Sequence, residues 1–214
     1  IRIVFMLGVG PRKKIGTGLR RKYSSTRNVD KAFARLREYW DEKLSALQCD
    51  TPHDGMNTMI NTWHPYQSET CVTWSRFASF IEVGGRTGLG FRDTAQDAMN
   101  VVNLSPQRAR RRMLELFRGQ TSAGFGLHLF DPLTFSNDVK DNPGLPTVLP
   151  TEAEAKRIDV KDLRDVCADD ALWLAAAACE YVKETGDLDF LETVVPFADR
   201  GSDSVYEHIA RALN

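Results

Sequence analysis

The sequence predicts a mainly α-helical chain, read as part of an α-helical toroid, the (α/α) barrel. Three observations carry this reading. Apolar residues recur at helical spacing in segment after segment from about Asp54 onward, no strand-rich block interrupts them, and strongly apolar helices alternate with amphipathic ones. Inner-helix ends and the loops beside them would then enclose a central pocket, although these helices are too few to close the full ring.

The elements follow in order. Ile1–Gly10, IRIVFMLGVG, is β-branched and aromatic with glycine at its end, and reads as a strand. Pro11–Thr26 is basic and contains glycine, and reads as a loop. Asn28 or Asp30 is placed to cap a helix whose Phe33, Leu36, Trp40, Leu44 and Leu47 form one apolar stripe, and this reads as a linker helix between two domains. Further helices are expected at Met56–Trp63, Glu69–Ile81, Thr94–Val102, Pro106–Gly119, Asp170–Glu184, Leu188–Phe197 and Ser204–Leu213.

Two of these helices are informative in detail. Pro106–Gly119 is opened by Ser105-Pro106, a cap and first-turn pair, and most of Arg108, Arg110, Arg111 and Arg112 are expected on its solvated outer face. The segment ALWLAAAACEYV is apolar almost all round, which predicts a helix buried on most sides. Asp169 and Asp170 stand at its start, where the helix dipole favours acidic residues as caps; a paired-carboxylate acid/base site is the alternative.

Composition narrows the function classes. With 42% hydrophobic and 27% charged residues, 214 positions suffice for one sizeable core. A formal net charge of −1 leaves no electrostatic footprint for nucleic acid or an anionic membrane, and no run of about 18 apolar residues is present to span one. The four cysteines, at 49, 71, 167 and 179, lack CxxC spacing, and Cys71 and Cys179 are expected to pack as small hydrophobes. Gly8-Val9-Gly10 follows a strand, but Lys13 and a basic loop come next, so the dinucleotide fingerprint fails. The four histidines, at 53, 64, 128 and 208, lack the helical pairing of a zinc site, and His128 is expected in a pocket wall or core.

The chemistry concentrates between Asn61 and Asp97. Trp63, Tyr66, Gln67, Trp74, Arg76, Arg86, Arg92, Asp93 and Asp97 all fall there, around a glycine-rich turn. Flat aromatic faces and bidentate Asp, Gln and Arg side chains are what hold a hydroxyl-rich ring, and a neighbouring anion calls for arginine donors in a fixed fork. Glycines 84, 85, 88 and 90 let the backbone approach a ligand closely and aim Arg86 and Arg92 inward. A helix-to-helix turn with a surface Arg-Asp pair is the plainer reading. Trp63 and Trp74 are divided evenly between core and site. Tyr66 and Gln67, where one helix is expected to yield to the next, are better pocket candidates.

Three blocks of this sequence also carry a family resemblance. TWSRFASFIEVGGRTGLGFRDTAQD, then RGQTSAGFGLHLFDP, then CADDALWL with YVKETGD, resemble the disaccharide phosphorylases of glycoside hydrolase family 94. Relatives acting on cellobiose have one residue fewer between the two arginines of the turn, so the Arg86-to-Arg92 spacing favours the chitobiose-acting branch.

The resemblance implies a fold, a reaction and residue roles. It implies an N-terminal β-sandwich domain ending with its last strand and loop at 1–27, a linker helix at 28–53, and the first part of an (α/α)6 catalytic barrel at 54–214. It implies inverting phosphorolysis of a β-linked disaccharide, N,N'-diacetylchitobiose first, with cellobiose or another β-glucan as the alternative. Arg76, Arg86 and Asp93 match residues that bind the sugar whose anomeric carbon reacts, and Arg92 matches a phosphate ligand. No cofactor or metal is implied, and inorganic phosphate is the co-substrate. Phosphorolysis would conserve the bond energy inside the cell, so a cytoplasmic protein is expected, a homodimer at full length.

The general acid of the family is an aspartate in a Trp-Asn-Asp element that follows the helix corresponding to Ser202–Asn214, and that element does not occur here. The chain opens at Ile1 inside an apolar run and closes at Asn214 without a capping residue, so a fragment is expected, with its acid beyond Asn214. A carbohydrate-binding remnant without catalysis is the reading from another class.

Overall fold

A computed structural model of the chain describes residues 3–6, 17–74, 89–127, 129–130 and 167–214. The chain divides into two compact units, Ile1–Ala46 and Leu47–Asn214. In the first, helix α1 (Thr17–Tyr23) is followed by α2 (Thr26–Leu44). Asn28 Nδ2 donates to the Lys22 carbonyl at 2.8 Å, tying the start of α2 to the end of α1.

This region differs from expectation in three respects. A helix begins at Thr17 inside the segment read as a loop. The N-cap of α2 is Ser25, ahead of Asn28 and Asp30, which lie within the helix. Ile3–Met6 carries no strand pairing. The apolar stripe of α2 is covered only in part: Phe33 and Leu36 are more than half exposed, Trp40 and Leu44 are half-buried, and no residue of the helix is fully buried.

The second unit opens with helix α3 (Asp54–Thr58), which runs without a break through a π-helical turn (Met59–Trp63) into α4 (His64–Trp74). Pro65 explains the wider turn, since it has no N–H to donate and its ring crowds the preceding carbonyls. Two asparagines on this stretch bind the incoming chain. Asn61 exchanges two 2.8 Å hydrogen bonds with the Cys49 backbone, and the Asn57 amide receives Thr51 N and Oγ1 while donating to the Thr51 carbonyl. Tyr66 and Gln67, expected at a junction between two helices, therefore lie inside one continuous helical run.

Strand β1 (Leu89–Gly90) leads into α5 (Phe91–Met99), and α6 (Pro106–Phe117) follows. Strand β2 (Leu129–Phe130) pairs antiparallel with β1, Leu89 opposite Phe130 and Gly90 opposite Leu129. The C-terminal part contains α7 (Asp170–Thr185), a 3-10 turn (Leu188–Phe190), strands β3 (Val194–Pro196) and β4 (Ser202–Ser204), and α8 (Val205–Leu213). β3 and β4 form an antiparallel hairpin.

That hairpin corrects the helix expected over Leu188–Phe197. Only Leu188–Phe190 turns helically, where the Asp187 carboxylate accepts from Phe190 N at 3.2 Å. Beyond it Val194 and Val195 favour an extended backbone and Pro196 cannot donate to a helical ladder, so the chain pairs with Ser202–Ser204 instead.

The core lies between α5, α6 and α7, closed at one end by α8. Phe91, Ala95 and Ala98 of α5, Ala109, Met113, Leu116 and Phe117 of α6, and Leu174, Ala177, Ala178 and Tyr181 of α7 are all buried in it. Alanines on the facing sides of α5 and α7 allow close approach, while Phe117, Phe190 and Tyr181 fill the wider space with edge-on and tilted ring contacts. α7 is not buried on most sides, contrary to its composition: Leu172 and Cys179 are exposed.

Helix α6 carries a second correction. Of its four clustered arginines only Arg111 is exposed. Arg108 reaches across to α4, where Nη1 lies 2.6 Å from Oε2 of Glu69 and Nη2 donates to Thr73 Oγ1 at 2.8 Å. Arg112 Nη2 donates to the Val72 carbonyl at 2.8 Å. Arg110 donates to Thr193 Oγ1 at 2.9 Å and its guanidinium lies 5.5 Å from the centre of the Phe190 ring. Ser105 is the N-cap by position, yet its hydroxyl donates to Oε1 of the buried Glu69 rather than accepting from its own helix.

Candidate functional site

Three segments distant in sequence meet at the start of α5. Gly90 is the N-cap of α5, its ψ of 125° keeping the backbone extended up to the helix start. Phe91 is buried in the core with no exposed surface, and Arg92 follows about 100° further round the helix. The Arg92 guanidinium crosses to the first turn of α7, where Nη2 donates to Oδ1 of Asp169 at 2.8 Å. The second oxygen of that carboxylate, Oδ2, accepts from Trp173 Nε1 at 3.4 Å.

Asp169 occupies the N-cap position of α7, yet it makes no side-chain capping bond, so the capping role expected for it is not the one observed. Desolvation works to raise its pKa, but the hydrogen bonds from Trp173 and Arg92 and the Arg92 charge outweigh it and hold the carboxyl below the usual aspartate value. The group is an anion at neutral pH. Asp170 is fully buried beside it, and together they do not form an exposed acid/base pair.

The loop before β2 supplies the third segment. A Cβ placed on Gly126 would come within 3.1 Å of the Phe91 ring and 3.2 Å of Asp170 Cβ, so glycine is what lets this strand of backbone lie between the starts of α5 and α7. The turn is braced from behind. Gln120 Nε2 donates to the carbonyls of Gly124 and His208, each at 3.0 Å, and Arg211 Nη1 donates to the Ser122 carbonyl at 2.8 Å. Ser122 N and Oγ each lie 2.6 Å from the Asp199 carboxylate. Those bonds hold the Asp199 carboxyl below its usual range although desolvation opposes them.

Of the residues singled out in the sequence, Arg92 and Asp93 sit side by side on the first turn of α5. Asp93 turns back toward the helix start, with Oδ2 3.4 Å from where a Gly90 Cβ would stand. Tyr66 packs edge-on against Trp63 at 6.2 Å, and Gln67 donates along its own helix to Cys71 Sγ at 3.2 Å; neither contact joins the Arg92 cluster. Trp63 is 54% exposed, which removes it from the core. Arg76, Arg86 and His128 lie outside the described residues. Among the described residues no group of His, Cys, Asp or Glu is arranged to hold a metal ion, and no helix is long and apolar enough to cross a membrane.

The sequence reading missed Trp173 and the partnership of Asp169 with Arg92. The signal was present, since Asp169 and Trp173 are four apart at a helix start and so share one face. Nothing local, however, points from there to a residue 77 positions earlier.

These are also the three blocks in which the family resemblance lies, brought together through the β1–β2 pairing, the Arg92–Asp169 bridge and the Gly126 contact. Residues 39–214 match the family model described as "Glycosyl hydrolase 94 superfamily, catalytic domain", and the chain belongs to that family. Over its whole length it is 49% identical, across 216 aligned residues, to the N,N'-diacetylchitobiose phosphorylase of Vibrio proteolyticus and 50% identical, across 217, to that of Vibrio furnissii. It spans about a quarter of each, 26% of their length. A cyclic beta-(1,2)-glucan synthase of Rhizobium meliloti is 29% identical over 202 residues, covering 86% of this chain and 6% of that protein.

Proposed function

We propose that this chain is part of the catalytic barrel of an inverting disaccharide phosphorylase acting on N,N'-diacetylchitobiose. The observation that carries the reading is the near-50% identity, sustained over the full chain, to proteins named for that activity. On this reading residues 54–214 belong to the (α/α)6 toroid, 28–53 to a linker helix and 1–27 to the end of a β-sandwich domain. The full-length protein is a cytoplasmic homodimer.

The chemistry follows from what the nucleophile needs. Phosphate is already an anion, so no carboxylate is required to activate it; it needs donors that fix its position and offset its repulsion from nearby carboxylates. Arg92 supplies a guanidinium at the start of an inner helix. Arg76, Arg86 and Asp93 hold the sugar at the reacting end, with Tyr66 and Gln67 as weaker contacts. A phosphate oxygen attacks the anomeric carbon, the β-glycosidic C–O bond breaks, and a protonated carboxyl outside this chain delivers a proton to the departing oxygen. The products are α-N-acetylglucosamine 1-phosphate and N-acetylglucosamine. The acid is placed outside this chain rather than at Asp169, because the bonds from Trp173 and Arg92 hold that carboxyl below the usual aspartate value.

The test offers the full-length protein N,N'-diacetylchitobiose and cellobiose side by side in phosphate buffer and measures sugar 1-phosphate. Faster turnover of chitobiose is expected. Preference for cellobiose would overturn the choice of sugar, and no sugar 1-phosphate from either would overturn the reaction.

A further inference from the structure

Resting on that reading, we propose that Asp169 and Trp173 are positioning residues that set the Arg92 guanidinium for the incoming phosphate. A free arginine side chain has much rotamer entropy, and an anion arriving at a mobile guanidinium must supply that ordering itself. Here the ordering is built in. Nη2 is fixed by a charge-assisted bond of 2.8 Å to Asp169 Oδ1, and Oδ2 of the same carboxylate is occupied by the Trp173 indole N–H at 3.4 Å, so the carboxylate cannot rotate without losing a partner. Nε of Arg92 is buried and has no hydrogen-bond partner among the described residues. Among the described residues this leaves the two outer nitrogens open to an anion, on a side chain that is 42% exposed.

The bridge carries an electrostatic cost that makes the idea testable. Asp169 offsets part of the Arg92 charge, so a carboxylate present only to neutralise the arginine would weaken phosphate binding and contribute nothing to turnover. A positioning carboxylate behaves differently. Its replacement by an isosteric amide leaves a fuller positive charge, which still attracts phosphate, on a guanidinium that is no longer aimed.

The experiment uses the full-length protein with inorganic phosphate and N,N'-diacetylchitobiose. For Asp169→Asn, kcat is expected to fall on the order of tenfold, the scale on which misplaced groups lose rate, while KM for phosphate stays level or falls. Trp173→Phe is expected to shift kcat in the same direction by a smaller factor, and Asp169→Glu to recover part of the loss. In the Arg92→Ala background Asp169→Asn is expected to cost nothing further, because the two act as a unit. An unchanged kcat for Asp169→Asn, or an equal loss with and without Arg92, overturns the positioning role and leaves the phosphorylase reading standing. Absence of phosphorolysis in the unaltered protein overturns both. Should Asp169→Asn fail to fold, Trp173→Phe carries the same test, since a smaller aromatic ring stays in place while the indole N–H is lost.

Discussion

Glu69 of α4, 2% exposed, is held by Arg108 of α6, whose Nη1 lies 2.6 Å from Oε2. The Ser105 hydroxyl occupies the other oxygen. A buried carboxylate with both oxygens donated to is a fixed strut between two helices, and removing it strands an arginine that is itself two-thirds covered. Glu69→Ala is expected to lower unfolding free energy by about 3 kcal/mol, and Ser105→Ala by about 1 kcal/mol, in denaturant melts. Equal and small losses for the two would show that the strut contributes little.

Gly124 and Gly186 form a matched pair for backbone strain. Both have positive φ, +95° and +70°, but an added Cβ at Gly124 would run into the Arg211 carbonyl, whereas at Gly186 it meets nothing within 4 Å among the described residues. Gly186→Ala is expected to cost about 1 kcal/mol of strain alone, and Gly124→Ala about 3 kcal/mol because the end of α8 must shift as well. Thermal melts that rank them the other way would contradict the close packing of α8 on the Gln120–Leu127 turn.

Stability should also fall on mild acidification, through His208. The ring is fully buried, stacked on Phe197, with Nδ1 2.6 Å from Gln120 Oε1 and Nε2 3.0 Å from the Val195 carbonyl. A neutral ring donates from only one nitrogen and an imidazolium from both, but burial opposes the charge and is the larger influence. The Val195 bond and Asp203 of β4 act to raise the pKa and Arg211 of α8 to lower it, leaving it below the ordinary value. The unfolded chain therefore takes up the proton first, at a pKa of about 6.5, so the stabilisation is complete above that pH and declines as pH falls through the lower folded value. Melting temperature is expected to drop between about pH 7 and 5, and the drop to flatten in His208→Gln. Asp199, also lowered, acts in a more acidic window, below about pH 4, and leaves this interval unaffected. A pH dependence identical in the two proteins would remove His208 as its source.

The legible parts of the fold were those set by local periodicity. α6, α7 and α8 lie where their apolar spacing and end signals put them, because each helix has a face that must be buried. What failed were features decided by distant partners. Leu188–Phe197 has helical composition, but Val194–Pro196 finds a strand to pair with in Ser202–Ser204. Arg108, Arg110 and Arg112 resemble a solvated face until α4, Thr193 and Phe190 are placed beside them. In the candidate site Arg92 and Asp93 stand side by side on one helical turn, as neighbours in sequence do. The bridge to Asp169 was not legible, since it depends on how α5 and α7 pack.

Asp93 offers a check on the sugar contacts that is independent of phosphate. A carboxylate accepting from two sugar hydroxyls is poorly replaced by an amide, which must present a donor to one of them. In the full-length protein Asp93→Asn is expected to lower kcat/KM for the disaccharide by a hundredfold or more, about 3 kcal/mol, with KM for phosphate little changed. A loss confined to phosphate would place Asp93 on the wrong substrate.

The most direct measurement is a nuclear magnetic resonance time course of the full-length protein with N,N'-diacetylchitobiose, run with and without inorganic phosphate. With phosphate, the first-formed product is expected to be α-N-acetylglucosamine 1-phosphate in equal amount to N-acetylglucosamine; without it, no bond is broken. Arg92→Ala is expected to remove most of the phosphate-dependent rate, by on the order of a thousandfold, while disaccharide binding persists. Release of free N-acetylglucosamine at the same rate in the absence of phosphate would contradict the account.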